Sequence, residues 1–360
     1  MNEFSAARSP GGKVLVAGGA GYVGSILVPL LVEAGYSVVV LDRFFFGDSL
    51  AATASAKRGS LKLVRADIRD VDDSVLEGVD SVVDLCGISN DPACDLDPAV
   101  TTAINVGGAS RLIELALTVG VRRYVYASSC SVYGYGERLQ MTEATQCSPQ
   151  TLYAQSKLKI EQLLLAKGRC SSGIFQPVVL RLGTLFGVSP RMRFDLALNA
   201  MVKSAYAEGK ICVDGDGLQW RPFVHVGDAA SAFIIALNAP SRLVSNRVFN
   251  IGVGENNWQI RDLAIDIQLC LPGSVIAYSK QCRDSRNYNV DFAAAKTELG
   301  FSASTSVKQG IHEVIEAIGS GKVDLNDERS NTVRHYRALF AQSGLGLMLP
   351  VVSVPEASIA

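Results

Sequence analysis

The segment from Val14 to Asp42 restricts the folds open to this chain more than any other. Val14, Leu15, Val16 and Ala17 lead into a turn with glycine at 18, 21 and 24. An apolar stretch then runs to Ala34, and Gly35 separates it from a second apolar run, Ser37 to Leu41, that ends at Asp42. This order reads as strand, tight turn, helix and strand, a βαβ unit. Val14 to Val32 is also uncharged and about as long as a bilayer span. Its early glycines and the further apolar run beyond Gly35 favour the buried strand, turn and helix. Pro29, inside the helical stretch, predicts a kink or a shortened helix.

Short apolar runs recur at Leu61 to Val64, Ser81 to Leu85, Arg123 to Ala127 and Val178 to Leu182, with helical patterns between them. Alternating strands and helices predict an α/β fold with a parallel sheet covered on both faces. A helix is expected from about Leu152 to Leu165, behind a Ser148-Pro149 start signal, and another over Val307 to Ile318. Beyond Gly187 the rhythm is broken by polar and turn residues, among them Pro190, Arg191, Arg193, Trp220, Arg221 and Pro222, which predicts a smaller second lobe. The expected division is 1–186 with 225–253 returning to it, 187–224 with 254–345 as the lobe, and 346–360 as a tail.

The formal net charge of −1 gives no electrostatic reason to expect nucleic acid or an anionic membrane as partner. Eight cysteines without a C-x-x-C pair, and three histidines, offer no zinc constellation, so no metal is expected. The thiols are expected to be free in a reducing cytosol. MNEFSAARSP lacks the apolar core of a signal peptide. A cytoplasmic protein with a small-molecule ligand fits these features.

Glycines at 18, 21 and 24 let a backbone turn tightly and approach a pyrophosphate, which the N–H groups of Gly21, Tyr22, Val23 and Gly24 at a helix start can meet. Asp42 follows about twenty residues on, where a carboxylate accepts hydrogen bonds from adenosine ribose hydroxyls and repels a 2′-phosphate. NAD is therefore favoured over NADP. Arg43 blunts that preference, since an arginine there can pair with a phosphate. Asp67 and Ile68, after the third strand, can hold an adenine edge, and Asp67 can equally be an ordinary loop carboxylate.

Tyr153 and Lys157 stand at i and i+4 on one helix face. Ionising a phenol near neutrality takes about 4 kcal/mol of differential stabilisation, which a close ammonium and a cationic ring can supply. Tyr153 then becomes a general base for a hydroxyl proton. The run Ser128-Ser129-Cys130-Ser131, directly after the apolar Tyr124-Val125-Tyr126, makes a poor strand interior and a reasonable strand end facing a ligand.

In order, the glycine turn, Asp42, Asp67-Ile68, Ser128-Ser129 before Val132-Tyr133-Gly134, Tyr153-x-x-x-Lys157, Arg181 and Arg221-Pro-Phe-Val-His225-Val resemble the extended short-chain dehydrogenase/reductases, specifically the NAD-dependent sugar-nucleotide epimerase/dehydratase family. The match spans about residues 13 to 320. The resemblance implies a Rossmann doubly wound parallel sheet that holds NAD, a smaller C-terminal substrate lobe closing over a nucleotide sugar, and a homodimer formed through the Tyr153 helix. It implies that Ser129 hydrogen-bonds the reacting oxygen, that Lys157 also binds the nicotinamide ribose, and that Ser128 and Ser131 lie with the substrate.

The family's 4,6-dehydratases commonly carry acids at the two positions after the catalytic Ser/Thr, whereas Cys130 and Ser131 stand there in this chain. Elimination then lacks its proton donor, and a transient 4-keto intermediate in an epimerisation fits the residues present. Thr184 and Arg191 resemble the 4-epimerases of UDP-uronates, where hydroxyls and an arginine fork suit a C6 carboxylate, so UDP-hexose and UDP-uronate substrates both remain open. Arg221 matches an arginine on the nucleotide diphosphate, and Arg283 and Arg286 both fall where a second one is usual. His225 is expected to be structural, and Asp228 to start a helix. Two other readings use the same fold: a reductase or dehydrogenase of a keto sugar or other secondary alcohol that exchanges its cofactor, and a non-catalytic NAD-binding protein.

Overall fold

The structure, a computed structural model, describes residues 11–55, 58–135, 140–279 and 286–343. Twelve strands run in chain order as β1 (Lys13–Ala17), β2 (Ser37–Asp42), β3 (Ser60–Arg65), β4 (Ser81–Asp84), β5 (Arg123–Ser129), β6 (Gln176–Leu182), β7 (Thr184–Phe186), β8 (Lys210–Val213), β9 (Trp220–His225), β10 (Arg247–Ile251), β11 (Asn257–Gln259) and β12 (Val275–Tyr278). Seven of them form one parallel sheet in the order β10-β6-β5-β4-β1-β2-β3. The order reverses beside β1, as in a Rossmann doubly wound sheet, and ligands of such sheets bind at that reversal. Two small sheets, β11-β9-β7 and β12-β8, lie outside it.

Alternation along the strands builds two cores. Val14, Val16, Val38, Val40, Val125 and Leu180 face one side, where they meet Leu27, Val28 and Leu31 of the Gly24–Glu33 helix and Phe233 of the Val226–Asn238 helix. Leu15, Ala17, Val39, Leu41, Tyr124 and Val179 face the other, against Leu112 and Ile113 of the Ala109–Thr118 helix and Ile160 and Leu164 of the Leu152–Cys170 helix. A third core, around Phe186, Leu198, Phe223, Leu263 and Val314, sits under the smaller sheets.

Pro29 does not end its helix, which runs unbroken from Gly24 to Glu33. The amide that proline lacks removes one hydrogen bond, while Leu27, Val28, Leu31 and Val32 around it are buried and hold the helix to the sheet. The Tyr153 helix also departs from expectation. Its cap is Thr151, whose hydroxyl accepts the Ala154 N–H at 3.2 Å. Ser148, expected to start it, instead donates its own N–H to the Val132 carbonyl. The tail at 346–360 and Arg283 lie outside the described residues.

A buried ion pair fixes that helix to the sheet. Arg181, on β6, makes a two-pronged contact with Glu161 (Nη2 to Oε2 at 2.7 Å, Nε to Oε1 at 3.1 Å) and donates to the Tyr133 hydroxyl at 3.0 Å. Glu161 is one turn beyond Lys157, and the Ser128 hydroxyl of β5 also donates to it. Removing one partner of such a pair strands a buried charge. Glu161→Gln is expected to destabilise the fold by about 3–5 kcal/mol in urea unfolding, and the joint change Glu161→Leu with Arg181→Met to recover most of the loss. An equal loss in both variants would contradict this reading.

Candidate active site

The C-terminal ends of β1, β2, β4, β5 and β6 open into one cleft, walled by the glycine turn, Asp42 to Phe46, Asp67 and Ile68, Tyr153, Lys157, Arg191, Arg193 and Tyr336. The turn is shaped by close approach. Gly18 adopts φ +75°, and a Cβ on it would stand 2.9 Å from the Cys86 nitrogen, so only glycine fits. A Cβ on Gly24 would stand 2.4 Å from the Gly19 carbonyl oxygen.

Asp42 joins this turn to the end of β2. Its Oδ2 accepts the Ala20 N–H at 3.0 Å and its Oδ1 the Phe44 N–H at 2.8 Å. Burial raises its pKa against those hydrogen bonds. An ionised carboxylate has about four lone-pair sites, so acceptor capacity remains for ribose hydroxyls. Arg43 turns to Asp67 (2.7 Å) and lies over the Phe45 ring, while Arg69 grips the same carboxylate through Nε and Nη2 at 2.9 and 2.7 Å. With Arg43 committed to Asp67, its claim on a 2′-phosphate weakens. The Arg69 hydrogen bonds offset burial and hold the Asp67 pKa below its ordinary value. Asp67 thus acts as a loop ion-pair centre while it and Ile68 both line the cleft. A Cβ on Gly21 would meet only the Gly18 carbonyl oxygen, at 3.1 Å. That open cradle and the Asp42 carboxylate fit NAD.

Tyr153 and Lys157 share the far wall. Lys157 Nζ donates to the Ala127 carbonyl at 2.7 Å and stands over the Tyr126 ring (4.8 Å) and the Tyr153 ring (5.8 Å). Burial lowers its pKa, opposed chiefly by the carboxylate of Asp84. Burial pushes the Tyr153 phenol well above its ordinary value, and the groups that pull it down are Arg193 and the Ser129 hydroxyl. In the chain without ligand the ammonium stands over the aromatic rings, and the phenol keeps its proton.

Of the four residues at the strand end, Ser129 is the one whose hydroxyl pulls the Tyr153 pKa down. Ser128 lines the cleft and is opposite Arg181 in the sheet, with its hydroxyl donated to Glu161. Cys130 is buried, with its Sγ 3.3 Å from the Arg181 carbonyl, and burial pushes the thiol pKa up. Ser131 donates its N–H to Ser129 Oγ, and its own hydroxyl is buried without a hydrogen-bond partner.

The other expected residues divide. Thr184 pairs with Phe223 through β7 and β9 and is not among the residues lining the cleft. Arg191 lines it, its guanidinium 3.7 Å from the Phe46 ring centroid and its Nη2 2.9 Å from Thr332 Oγ1. Arg221 lies over Tyr288 and donates to the Arg286 carbonyl, and Arg286 pairs with Asp91 at 2.8 Å. His225 caps the Val226–Asn238 helix and pairs with Glu313 at 2.8 Å, a structural role, and Asp228 in its first turn holds Ser304 and Thr305.

Three features went unseen in the sequence. Arg193 binds Asp195 through two nitrogens and Ser89 through a third, beside Tyr153. The run Phe44-Phe45-Phe46, which follows Arg43, forms a wall of the cleft two residues beyond Asp42, and its position was the available signal. Tyr336, on the Thr332–Ser343 helix, meets Phe45 and Phe46 edge-on; nothing in its local pattern marks it.

Because burial raises the Tyr153 pKa, cofactor-free protein is expected to show no tyrosinate absorbance from this residue up to pH 10. The difference titration against Tyr153→Phe should be flat there. A step below pH 8 would contradict the assignment.

Residues 14–252 match the NAD dependent epimerase/dehydratase family. The chain is 28% identical over 310 residues to a putative UDP-glucose 4-epimerase of Methanocaldococcus jannaschii, covering 84% of this chain and 97% of that one. It is 30% identical over 308 residues to a dTDP-glucose 4,6-dehydratase of Streptomyces griseus, covering 83% and 91%. Among solved structures, MoeE5 in complex with UDP-glucuronic acid and NAD aligns with a TM-score of 0.76 at 28% identity, over 86% of this chain and all of that one. The matched residues take in the glycine turn, Asp42, Tyr153 and Lys157, and the chain belongs to the NAD-dependent epimerase/dehydratase family.

Proposed function

We propose that the chain epimerises a nucleotide sugar at C4 through a transient 4-keto intermediate. The observation that carries the reading is the pair Tyr153 and Lys157 in the cleft wall, with the Ser129 hydroxyl acting on the Tyr153 phenol, next to a thiol, Cys130, that is turned into the core. Ser129 holds the C4 oxygen, Tyr153 takes its proton and later returns it, and Lys157 orients the nicotinamide ribose. NAD, when bound, supplies the hydride acceptor for C4 and the hydride that returns to it. The positive charge it brings to the Tyr153 wall also favours the phenolate that burial opposes. Reversal at C4 requires the keto sugar to turn within a lobe formed by 187–224 and 254–345. Arg221 and Arg286 are the residues for its diphosphate.

Dehydration, the activity named for one relative, needs an acid beside Ser129. Cys130 donates away from the cleft and the Ser131 hydroxyl is buried, which favours epimerisation. A net reductase would use the same Tyr and Lys, and release of NADH separates it. We further propose a homodimer joined through the Leu152–Cys170 helix and a cytoplasmic location. Among the described residues no helix is long and apolar enough to cross a membrane.

Incubation with UDP-glucose and with UDP-glucuronate, followed by NMR, is expected to interconvert one pair of C4 epimers with NAD retained and no net NADH. Tyr153→Phe should lower kcat by about 10²–10⁴-fold. Stoichiometric NADH release, or a 4-keto-6-deoxy product, would contradict epimerisation.

A further inference from the structure

Arg191 is 6% exposed, yet its Nη1 has no hydrogen-bond partner. The neighbouring acid does not serve it: Asp195 is taken by Arg193 through two nitrogens and also by Asn90 and Thr332. Arg191 is therefore a buried cation beside a second cation, without a carboxylate of its own. Burial first, and Arg193 second, lower its pKa to about 10. A group in that condition calls for an anion from outside the chain.

Its place in the fold indicates which anion. Two residues before it, the Ser189 hydroxyl bonds the Tyr22 carbonyl and the Ser25 hydroxyl, both at 2.8 Å, so this segment is seated on the glycine turn and the first turn of its helix. On the other side the guanidinium rests on Phe46, four residues beyond Asp42, and the Asp42 carboxylate feels its charge. It spans the interval between ribose carboxylate and helix N-terminus, where a dinucleotide carries its diphosphate. Arg221 and Arg286 form a separate cluster around Tyr288 and Asp91.

We infer that Arg191 clamps the diphosphate of the bound dinucleotide, with Phe46 and Thr332 holding its guanidinium plane in place. The C-terminal helix thereby helps retain the cofactor, since Thr332 opens it. This assigns Arg191 to the cofactor and not to a substrate carboxylate, and it holds whether the enzyme is an epimerase or a reductase.

The test is equilibrium binding to protein stripped of nucleotide, with NAD, ADP-ribose, which keeps the diphosphate, and adenosine, which lacks it. Arg191→Met is expected to weaken NAD and ADP-ribose by about ten- to a hundredfold, as for loss of a charge-assisted hydrogen bond, and to leave adenosine within twofold. Arg191→Lys, which keeps the charge without the fork, should fall between, and Phe46→Leu should weaken ADP-ribose more than adenosine. Unchanged ADP-ribose affinity with weakened UDP-glucuronate binding would move Arg191 to the substrate and overturn the assignment. Equal losses for adenosine and ADP-ribose in both Arg191 variants would overturn it too, by showing no dependence on the diphosphate.

Discussion

The Glu161–Arg181 pair is the contact on which the geometry of the cleft depends. It joins the helix that carries Tyr153 and Lys157 to β6, while Ser128 brings β5 to the same carboxylate. Lys157 adds a second tie through the Ala127 carbonyl. Ser129 and Tyr153 meet because the strand end and the helix are both fixed to one buried charge. The desolvation cost of such a pair is large, and the network offsets it by giving the carboxylate and the guanidinium several partners each.

Within that frame the site is arranged around burial. Desolvation pushes the Tyr153 phenol and the Lys157 ammonium toward their neutral forms, so a cofactor-free cleft holds a protonated phenol. In the proposed reaction the base becomes competent when a cationic ring stands beside it. This couples proton removal to cofactor occupancy, and suits an enzyme that keeps its dinucleotide through the cycle. Arg193, held by Asp195 and Ser89, is a cation that lowers the phenol pKa in the ligand-free state.

The sheet and the cofactor half of the cleft were legible in the sequence because their signals are local. Apolar runs of strand length, glycines at fixed spacing and an acid at the end of the second strand each follow from backbone geometry. The corrections concern side chains whose roles are set by distant partners. Ser128 looks like Ser129 in sequence, and its hydrogen bond to Glu161, 33 residues on, is what sets it apart. Arg191 matched a substrate motif by spacing, but its contacts with Phe46 and Thr332 come from two other parts of the chain. Pro29 was expected to kink or shorten a helix that tertiary burial holds together from Gly24 to Glu33. The helix bearing Tyr336 has no local mark because its importance lies in what it covers.

The central claim is that hydrogen leaves and returns to one carbon on a cofactor that stays bound. The most direct measurement uses whichever of UDP-glucose and UDP-glucuronate reacts, deuterated at C4, with an excess of unlabelled NADH in solution. The account predicts that the product epimer keeps its deuterium at C4 and that none enters the free nucleotide. Deuterium in the free NADH, with hydrogen at C4 of the product, would contradict it and make the enzyme one that exchanges its cofactor.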